Sequence, residues 1–189
     1  MSFICFDLEG PLSPQDNAYE LMGQLPGGRQ VFEVVSRYDD LLALENRAGY
    51  EPGDTLALIV PFLLCHHITE ADIVALAEKA TLIDGAAELV ARLKESGWQV
   101  FCISTSYEQY ASRIAQRTGI PRHHLACTRF PLDSFRDRLG QADIARVTRL
   151  EQEIAKLVPQ LDDAAIKDRL DSFYWQELPG TPLGSAMAA

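Results

Sequence analysis

The pattern of apolar and polar residues in this chain starts with a short, unbroken apolar run near the N-terminus. Residues 3–6 are all apolar, and they are followed at once by Asp7 and then by the turn-forming pair Gly10-Pro11. Apolar runs of this length between chain-breaking residues are typical of a fully buried strand in a parallel sheet. The pattern therefore predicts a first strand that ends directly at an acidic residue.

The middle of the chain predicts helices and then alternating strands and helices. Residues 17–82 have helical periodicity that glycine and proline interrupt at 26–28 and at 49–53. A helix then precedes the apolar run at 98–103, and another helix separates this run from a third strand-like run at 125–130. Strand, helix, strand, helix and strand in this order indicate a parallel sheet built from βαβ units.

The last part of the chain predicts two more helices. Their periodic segments are 141–158, which Pro159 is expected to end, and 162–173. Asp162-Asp163 is expected to cap the second of these helices, and Asp84 to cap the helix before the run at 98–103. Residues 180–189 are small and polar, and they predict little structure of their own.

Composition narrows the class of protein. The length of 189 residues suits one domain, or one domain with a small insert, and the composition, 47% hydrophobic and 23% charged, is that of an ordinary globular chain. A net charge of −10 repels phosphate backbones and anionic lipid, so neither nucleic acid nor a membrane is an expected partner. The longest apolar run, 56–65, is half of the roughly 20 residues that a membrane span needs. No basic leader precedes residue 3, so we expect a cytoplasmic protein.

The four cysteines do not have the spacing of a metal site. Cys5, Cys65, Cys102 and Cys127 form no CxxC pair and no cysteine–histidine ligand pattern. Three of them lie in apolar, strand-like runs, where cysteine usually acts as a small core residue. We therefore expect reduced, buried thiols.

Two of the predicted strands end in residues that can carry chemistry. Ligands of parallel α/β sheets bind beyond the carboxyl ends of the strands. Asp7 and Glu9 follow the first strand, and Gly10 beside them lets the chain turn. One carboxylate of such a pair can attack phosphorus or bind a metal, and the other can exchange a proton with the leaving oxygen. The alternative for Asp7 is an ordinary turn former or helix cap.

The second strand-like run ends in hydroxyl residues. Ser104, Thr105 and Ser106 lead into a predicted helix, and hydroxyls with free backbone N–H groups suit a phosphate oxygen. The alternative for Ser104 is a simple helix N-cap.

Two segments resemble the motifs of a known superfamily. Residues 3–10, FICFDLEG, resemble the first motif of the haloacid-dehalogenase-like (HAD) superfamily, and residues 100–104, VFCIS, resemble the second. The Asp-Leu-Glu-Gly form is similar to the phosphoserine-phosphatase-like branch. The resemblance implies that Asp7 is a nucleophile that becomes an aspartyl-phosphate and binds Mg²⁺. It also implies that Glu9 is the general acid/base and a metal ligand, and that Ser104, Thr105 and Gly10 bind the phosphoryl group.

The resemblance also implies an architecture and an activity. The expected fold is α/β, a HAD-like Rossmannoid parallel sheet with a helical cap inserted after the first strand. Residues 1–16 and 83–135 would form the core, 17–82 the cap, and 136–189 a helical C-terminal segment. The expected activity is that of a Mg²⁺-dependent phosphatase or phosphotransferase acting on a small phosphorylated metabolite.

The sequence departs from the superfamily in its last part. The third motif requires a lysine and the fourth requires aspartates after a later strand, but the lysines after Ser104 are Lys156 and Lys167, both in predicted helices. The alternative function is therefore a non-catalytic or split HAD-like protein, truncated before these motifs. Such a binding subunit or fragment would need a partner chain, or a second copy, to complete its core.

Other conspicuous side chains have competing interpretations. Tyr38-Asp39-Asp40 lies in the expected cap and suits either substrate specificity or a solvated helix face. The pairs His66-His67 and His123-His124 are adjacent residues, which point apart and rarely supply two ligands to one ion. The aromatic cluster at 173–175 is expected to dock on the core.

Overall fold

The computed structural model describes residues 2–51, 54–158 and 162–188. The strands are β1 (Ser2–Asp7), β2 (Trp98–Tyr107) and β3 (Leu125–Thr128). The α-helices are α1 (Asn17–Met22), α2 (Gly28–Leu44), α3 (Thr55–Cys65), α4 (Glu70–Lys79), α5 (Ala86–Glu95), α6 (Glu108–Thr118), α7 (Asp133–Arg136), α8 (Gln141–Leu157), α9 (Asp163–Ser172) and α10 (Pro182–Met187). A 3-10 turn, Arg122–His124, precedes β3, and a π-helical turn, Phe173–Glu177, follows α9.

The chain divides into two compact units, each formed by two separate segments. The first unit contains Met1–Glu20 and Glu70–Phe130, and the second contains Leu21–Thr69 and Pro131–Ala189. Residues 70–82, which the sequence assigned to the cap, therefore group with the sheet. The expected C-terminal segment groups with the central helices. The roles of core and cap given to these segments stay predictions.

The sheet lies in the first unit and has the strand order β1-β2-β3, with both neighbouring pairs parallel. Ile4 pairs with Val100 and Asp7 pairs with Ile103, so the carboxyl ends of β1 and β2 lie side by side. Helices α5 and α6 pack on β2, and Val100 and Cys102 are buried. The predicted α/β fold with a parallel sheet is confirmed.

One face of the sheet is exposed to solvent, as the side chains of alternate residues on β1 and β2 show. Phe3 is 71% exposed and Ile103 is 61% exposed, although both are large apolar residues. Cys5 lies two residues after Phe3 on the same face of β1, and it is also exposed. The expectation that Cys5 is a core residue is therefore wrong, because no described element covers this face of β1. Cys102 points to the other face and is buried as expected.

The second unit is helical. Helix α2 packs on α3, α8 and α9, and α3 also contacts α10. Helix α3 contains the longest apolar run of the chain, and nearly all its side chains are buried, which is typical of a central core helix. Among the described residues no single helix is long and apolar enough to cross a membrane.

The C-terminal end is more ordered than the sequence indicated. Residues 180–189 were expected to have little structure, but Pro182–Met187 form α10. The Thr181 side chain caps this helix by accepting a hydrogen bond from the Gly184 N–H at 3.1 Å, and proline occupies the first turn, where its missing N–H costs nothing. Leu183 is fully buried and anchors the helix. The sequence did not predict this helix because one buried leucine among small residues does not form a recognisable helical pattern of apolar positions.

The helix caps follow the sequence in one case and depart from it in another. The Asp162 carboxylate accepts the backbone N–H of Ala164 at 3.0 Å and caps α9, as predicted. Asp84 does not cap α5, because the N-cap residue is Gly85 in a left-handed conformation with no side-chain cap. Pro159, which was expected to end α8, lies outside the described residues.

Candidate active site

A tight turn follows β1 and carries the acidic motif. The Leu8 carbonyl accepts hydrogen bonds from the N–H groups of both Leu12 and Ser13, and the Gly10 N–H donates to the Ser13 carbonyl at 2.7 Å. Gly10 has φ +95°, a conformation that L side chains rarely adopt, so the turn favours glycine at this position. The turn places Asp7 at the strand end and Glu9 two residues beyond it.

An open cavity of about 420 Å³ lies at the carboxyl ends of β1 and β2. It is lined by Cys5, Phe6, Asp7, Ile103, Ser104 and Thr105. The lining therefore includes the first predicted acidic residue and two of the predicted hydroxyl residues, which come from segments nearly one hundred residues apart. Glu9 and Gly10, as the structure describes them, are not part of this lining.

The Asp7 carboxylate is exposed to solvent in this cavity. Its Oδ1 atom accepts a hydrogen bond from the backbone N–H of Leu8 at 2.6 Å, which fixes the orientation of the side chain. Leu8 is fully buried and anchors the strand end from the other face. An exposed, oriented carboxylate of this kind can act as a nucleophile or as a metal ligand.

The hydroxyls at the end of β2 are held by the strand. The sequence placed Ser104 before a helix, but β2 continues to Tyr107, so Ser104 is not a helix cap. Its Oγ atom accepts the backbone N–H of Ser106 at 3.0 Å, which leaves its own hydrogen free to donate. The Thr105 carbonyl accepts the hydroxyl of Thr128 on β3 at 2.7 Å. Ser104 is thus a cavity-lining residue whose hydroxyl hydrogen is not used in the Ser106 hydrogen bond.

Glu9 is held by a network that the sequence did not predict. Its Oε1 atom accepts hydrogen bonds from Asn17 Nδ2 at 2.5 Å, from Ser106 Oγ at 2.8 Å and from the Asn17 backbone N–H at 3.3 Å. Asn17 is 1% exposed and Ser106 is fully buried. Ser106 was visible only as a member of a hydroxyl run, and nothing in the local pattern around Asn17 connects it to Glu9.

The polar network continues behind Glu9. The Ser13 hydroxyl is fully buried, donates to the Thr81 carbonyl at 3.0 Å and lies 3.4 Å from the Tyr110 hydroxyl. Burial raises the pKa of Tyr110, so this hydroxyl stays neutral at physiological pH. The neutral pair ties the turn after β1 to helix α6.

The buried thiol of Cys102, on β2, is not a nucleophile. Burial raises the pKa of Cys102 to about 12, and the nearby Cys5 and Asp7 act in the same direction. Because only the thiolate is a strong nucleophile, Cys102 is inert at pH 7. Cys102 therefore does not compete with the side chains that line the cavity, among them Asp7 and the exposed Cys5.

The donor set of the cavity limits the kind of metal that it could hold. In the part of the chain that the structure describes, no group of three or more His, Cys, Asp or Glu side chains could hold a metal ion. Mg²⁺ commonly binds through one or two carboxylates, waters and substrate phosphate. The Asp7 carboxylate thus suits a Mg²⁺ ion held jointly with substrate, and the described side chains do not suit a cage built by protein alone.

The structure places the other sequence candidates in internal contacts of the second unit. Tyr38 is fully buried and donates to Asp171, while Asp39 accepts the hydroxyls of Tyr50 and Thr55. Tyr38 and Asp39 are thus structural, which leaves Asp40 as the solvent-facing member of that cluster. Phe173 and Tyr174 of the aromatic cluster are buried, and the Tyr174 hydroxyl donates to the Leu58 carbonyl within the second unit at 2.7 Å.

The two lysines considered for the third motif are also in the second unit. Lys167 pairs with Asp171 at 2.8 Å and with Glu45 at 3.4 Å, and Lys156 is exposed on α8. His66 Nε2 contacts Glu151 in the second unit at 2.7 Å, and His124 Nδ1 contacts the Val100 carbonyl in the first unit at 2.9 Å. Each of these side chains except Lys156 thus has a structural partner.

Fold and site together define an α/β protein with an acidic group and hydroxyls at the carboxyl ends of adjacent parallel strands. The family model described as haloacid dehalogenase-like hydrolase matches residues 4–130. The chain belongs to this family, and the resemblance seen in the sequence is confirmed. Family membership supports a phosphatase-type function in general terms.

Among solved structures, the chain is similar to the gene product AF1437 from Archaeoglobus fulgidus. The two share 29% sequence identity, and they superimpose with a TM-score of 0.76 over 97% of this chain. The match covers 57% of the AF1437 chain, so the present chain spans little more than half of that relative. No curated protein matches the chain.

Proposed function

We propose that the protein is a phosphatase or phosphotransferase that acts on a small phosphorylated metabolite through an aspartyl-phosphate at Asp7. The observation that carries this proposal is a cavity at the end of β1 whose lining includes Asp7 from one strand and Ser104 and Thr105 from the parallel neighbour. A carboxylate nucleophile beside hydroxyl donors is the arrangement that phosphoryl transfer requires.

The proposed reaction has two steps. Asp7 attacks phosphorus, the bond from phosphorus to the leaving oxygen breaks, and Glu9 gives its proton to that oxygen. Glu9 then removes a proton from water, the resulting hydroxide attacks phosphorus, and the bond from phosphorus to Asp7 breaks. The sum is hydrolysis of the ester, with Asp7 and Glu9 returned to their starting states. In a phosphotransferase, an acceptor hydroxyl replaces water.

The remaining residues bind the phosphoryl group. Ser104 donates its hydroxyl hydrogen to a phosphoryl oxygen, Thr105 adds a second hydroxyl, and Gly10 contributes by letting the chain turn after β1. Mg²⁺, held by Asp7 and by Glu9 through its carbonyl, would neutralise charge on the phosphoryl oxygens when bound. The Asp-Leu-Glu-Gly motif supports assignment to the phosphoserine-phosphatase-like branch. Four free cysteines support a cytoplasmic location, because thiols persist in reducing compartments.

A hydrolysis assay with matched variants tests the proposal. The purified chain is expected to hydrolyse p-nitrophenyl phosphate when Mg²⁺ is present and to lose this activity when the metal is chelated. Asp7→Asn is expected to abolish turnover. Asp84→Asn makes the same chemical change at an exposed residue of the same unit and is expected to keep activity within about twofold, as surface changes usually do. Equal rates for the wild type and Asp7→Asn would contradict the proposal.

A second candidate function is favoured by the open face of the sheet. Phe3 and Ile103 remain largely exposed, and β1 has no strand on its outer edge among the described residues. We propose, as this alternative, that a second polypeptide pairs with β1 and brings the lysine and aspartate of the later motifs. The length of the AF1437 chain beyond the match supports such an occupant, since the relative has 43% of its chain (100 − 57) outside the shared region.

The same assay separates the two candidates. If the chain alone needs a partner, it is expected to unfold cooperatively yet hydrolyse no ester, and to bind an apolar dye that Phe3→Ser and Ile103→Ser release. Light scattering would show whether a second copy occupies this face instead. Activity of the monomeric chain that depends on Asp7 would exclude the partner-dependent function.

A further inference from the structure

We propose that Asn17 and Ser106 are positioning residues that hold Glu9 by one oxygen and leave its other oxygen for proton transfer. The inference rests on the proposed phosphatase function and names residues that no motif of the sequence assigned. Three hydrogen bonds converge on Glu9 Oε1, two from Asn17 and one from Ser106. Within the described part of the chain, no hydrogen bond reaches Oε2.

The directions of these hydrogen bonds are fixed by chemistry. A carboxyl oxygen that carries no proton only accepts hydrogen bonds, whether the group is ionised or protonated at its other oxygen. Asn17 must therefore present its amide nitrogen to Oε1 of Glu9, and the Ser106 hydroxyl must point its hydrogen at the same oxygen. Asn17 Nδ2 also donates to Ser106 Oγ at 2.7 Å, which closes a ring of three side chains. Each member of this ring thus fixes the orientation of the other two.

The ring leaves a buried acceptor unsatisfied. The Oδ1 atom of Asn17 is buried and has no hydrogen-bond partner among the described residues. Buried polar atoms are nearly always paired, and exceptions often occur where function requires a particular orientation. Turning the Asn17 amide over would direct this oxygen at the Glu9 carboxylate, where like partial charges repel. The orientation of Asn17 therefore allows its Nδ2 group to donate to Glu9 and leaves its own Oδ1 atom without a hydrogen-bond partner among the described residues.

This arrangement suits a general acid. Donors on Oε1 keep the transferable proton on Oε2, and they restrict rotation of the carboxyl group so that Oε2 keeps one direction. The backbone N–H of Ser106 also donates to Ser104 Oγ at 3.0 Å. Ser106, near the end of β2, thus contacts both Ser104, the proposed phosphoryl-binding residue, and Glu9, the proposed proton donor. Precise orientation of reacting groups contributes much of the rate acceleration in catalysis.

The experiment compares two substrates that differ in their need for a general acid. Phenyl phosphate has a poor leaving group that must be protonated, whereas p-nitrophenolate leaves without a proton. Ser106→Ala is expected to lower kcat/KM for phenyl phosphate by about tenfold and for p-nitrophenyl phosphate by less than about threefold, because general acid catalysis contributes roughly 10²–10⁴-fold. Asn17→Ala, which removes the Nδ2 donor, is expected to show the same split.

Three controls make the split specific to Glu9. Thr118→Val removes another buried hydroxyl of the first unit, one that bonds only the carbonyls of its own helix, and it is expected to affect both substrates alike. Ser106→Thr keeps a hydroxyl and is expected to restore most of the phenyl phosphate activity. In a Glu9→Gln background Ser106→Ala is expected to have no further selective effect, since the two residues act as a unit.

The outcomes separate this inference from the proposed function. Equal losses on the two substrates, or a full selective loss that persists in the Glu9→Gln background, would overturn the positioning role while the Asp7-dependent activity stands. A wild-type protein without Asp7-dependent hydrolysis would overturn the function and the inference together. Should Ser106→Ala fail to fold, the Asn17→Ala variant gives the same comparison.

Discussion

Ser106 Oγ donates a hydrogen bond to Glu9 Oε1 at 2.8 Å, although 97 positions separate the two residues in the chain. The bond joins the end of β2 to the turn after β1. Each of the two residues follows a cavity-lining residue by two positions: Glu9 follows Asp7, and Ser106 follows Ser104. The strand ends are therefore joined by side chains as well as by the parallel ladder, and this keeps the candidate catalytic groups in a constant arrangement.

Replacing the hydroxyl of Ser104 is expected to impair phosphoryl transfer without unfolding the protein. Removal of one preorganised donor to a developing anion costs about 100-fold in kcat, so Ser104→Ala is expected to show a loss of this size with p-nitrophenyl phosphate. Ser134→Ala removes an exposed hydroxyl of the second unit and serves as the control. A Ser104→Ala enzyme as active as the control would remove Ser104 from the site.

The turn after β1 is expected to be sensitive to the residue at position 10. A Cβ atom on Gly10 would meet nothing within 4 Å, so the cost of a substitution comes from the backbone conformation at φ +95°. Gly10→Ala is expected to lower the free energy of unfolding by about 1–2 kcal/mol. Gly10→Asn is expected to cost less, because asparagine tolerates positive φ better than alanine. Urea unfolding measures both variants, and equal stabilities of all three proteins would contradict the described turn.

An ion-pair cluster in the second unit is expected to make stability depend on pH. Burial by itself would raise the pKa of Asp171, but hydrogen bonds from Lys167 and Tyr38 outweigh it. The charge of Arg47, 2.6 Å away, adds to this effect, and the pKa of Asp171 lies below its ordinary value. A carboxylate with a lowered pKa stabilises the fold above the unfolded-state pKa of about 3.9 and loses this contribution as pH falls through the folded value.

Asp171→Asn tests that dependence. At pH 7 the free energy of unfolding of the variant is expected to be about 1–2 kcal/mol lower than that of the wild type, because the substitution leaves the charged partners of Asp171 unpaired. The difference is expected to shrink below pH 4, where the wild-type carboxylate takes up a proton. Asp168→Asn alters an exposed residue of the same helix and serves as the control. A difference that stays constant from pH 7 to pH 3 would show that the charge of Asp171 is not what stabilises this helix.

Helix α10 is expected to depend on the small size of Gly184. A Cβ atom on this residue would lie 2.3 Å from the Leu178 carbonyl oxygen, so Gly184→Ala must displace backbone. The expected loss is about 1–3 kcal/mol, as for other overpacked positions. Ser185→Ala changes the exposed neighbour and is expected to stay within about 0.5 kcal/mol of the wild type. Similar melting temperatures for the two variants would show that α10 does not pack as described.

Much of the fold could be predicted because its signals are local. The continuous apolar run before Asp7 predicted β1, and the periodic segments at 141–158 and 162–173 predicted α8 and α9. Each of these patterns is complete within about twenty residues. The helix at 182–187 was missed because its only strong signal is one buried leucine, and β2 was predicted too short because polar residues continue an otherwise apolar strand.

The sequence by itself determined the class of fold, the family, and the placement of Asp7 at the end of β1 with Ser104 on the next strand, since a parallel βαβ order puts these strands side by side. Only the tertiary structure decided that Asn17 and Ser106 hold Glu9, and that one face of β1 remains open. The physical reason is that hydrogen bonds between distant segments depend on where side chains meet in space. Neither hydrophobic period nor motif spacing carries that information.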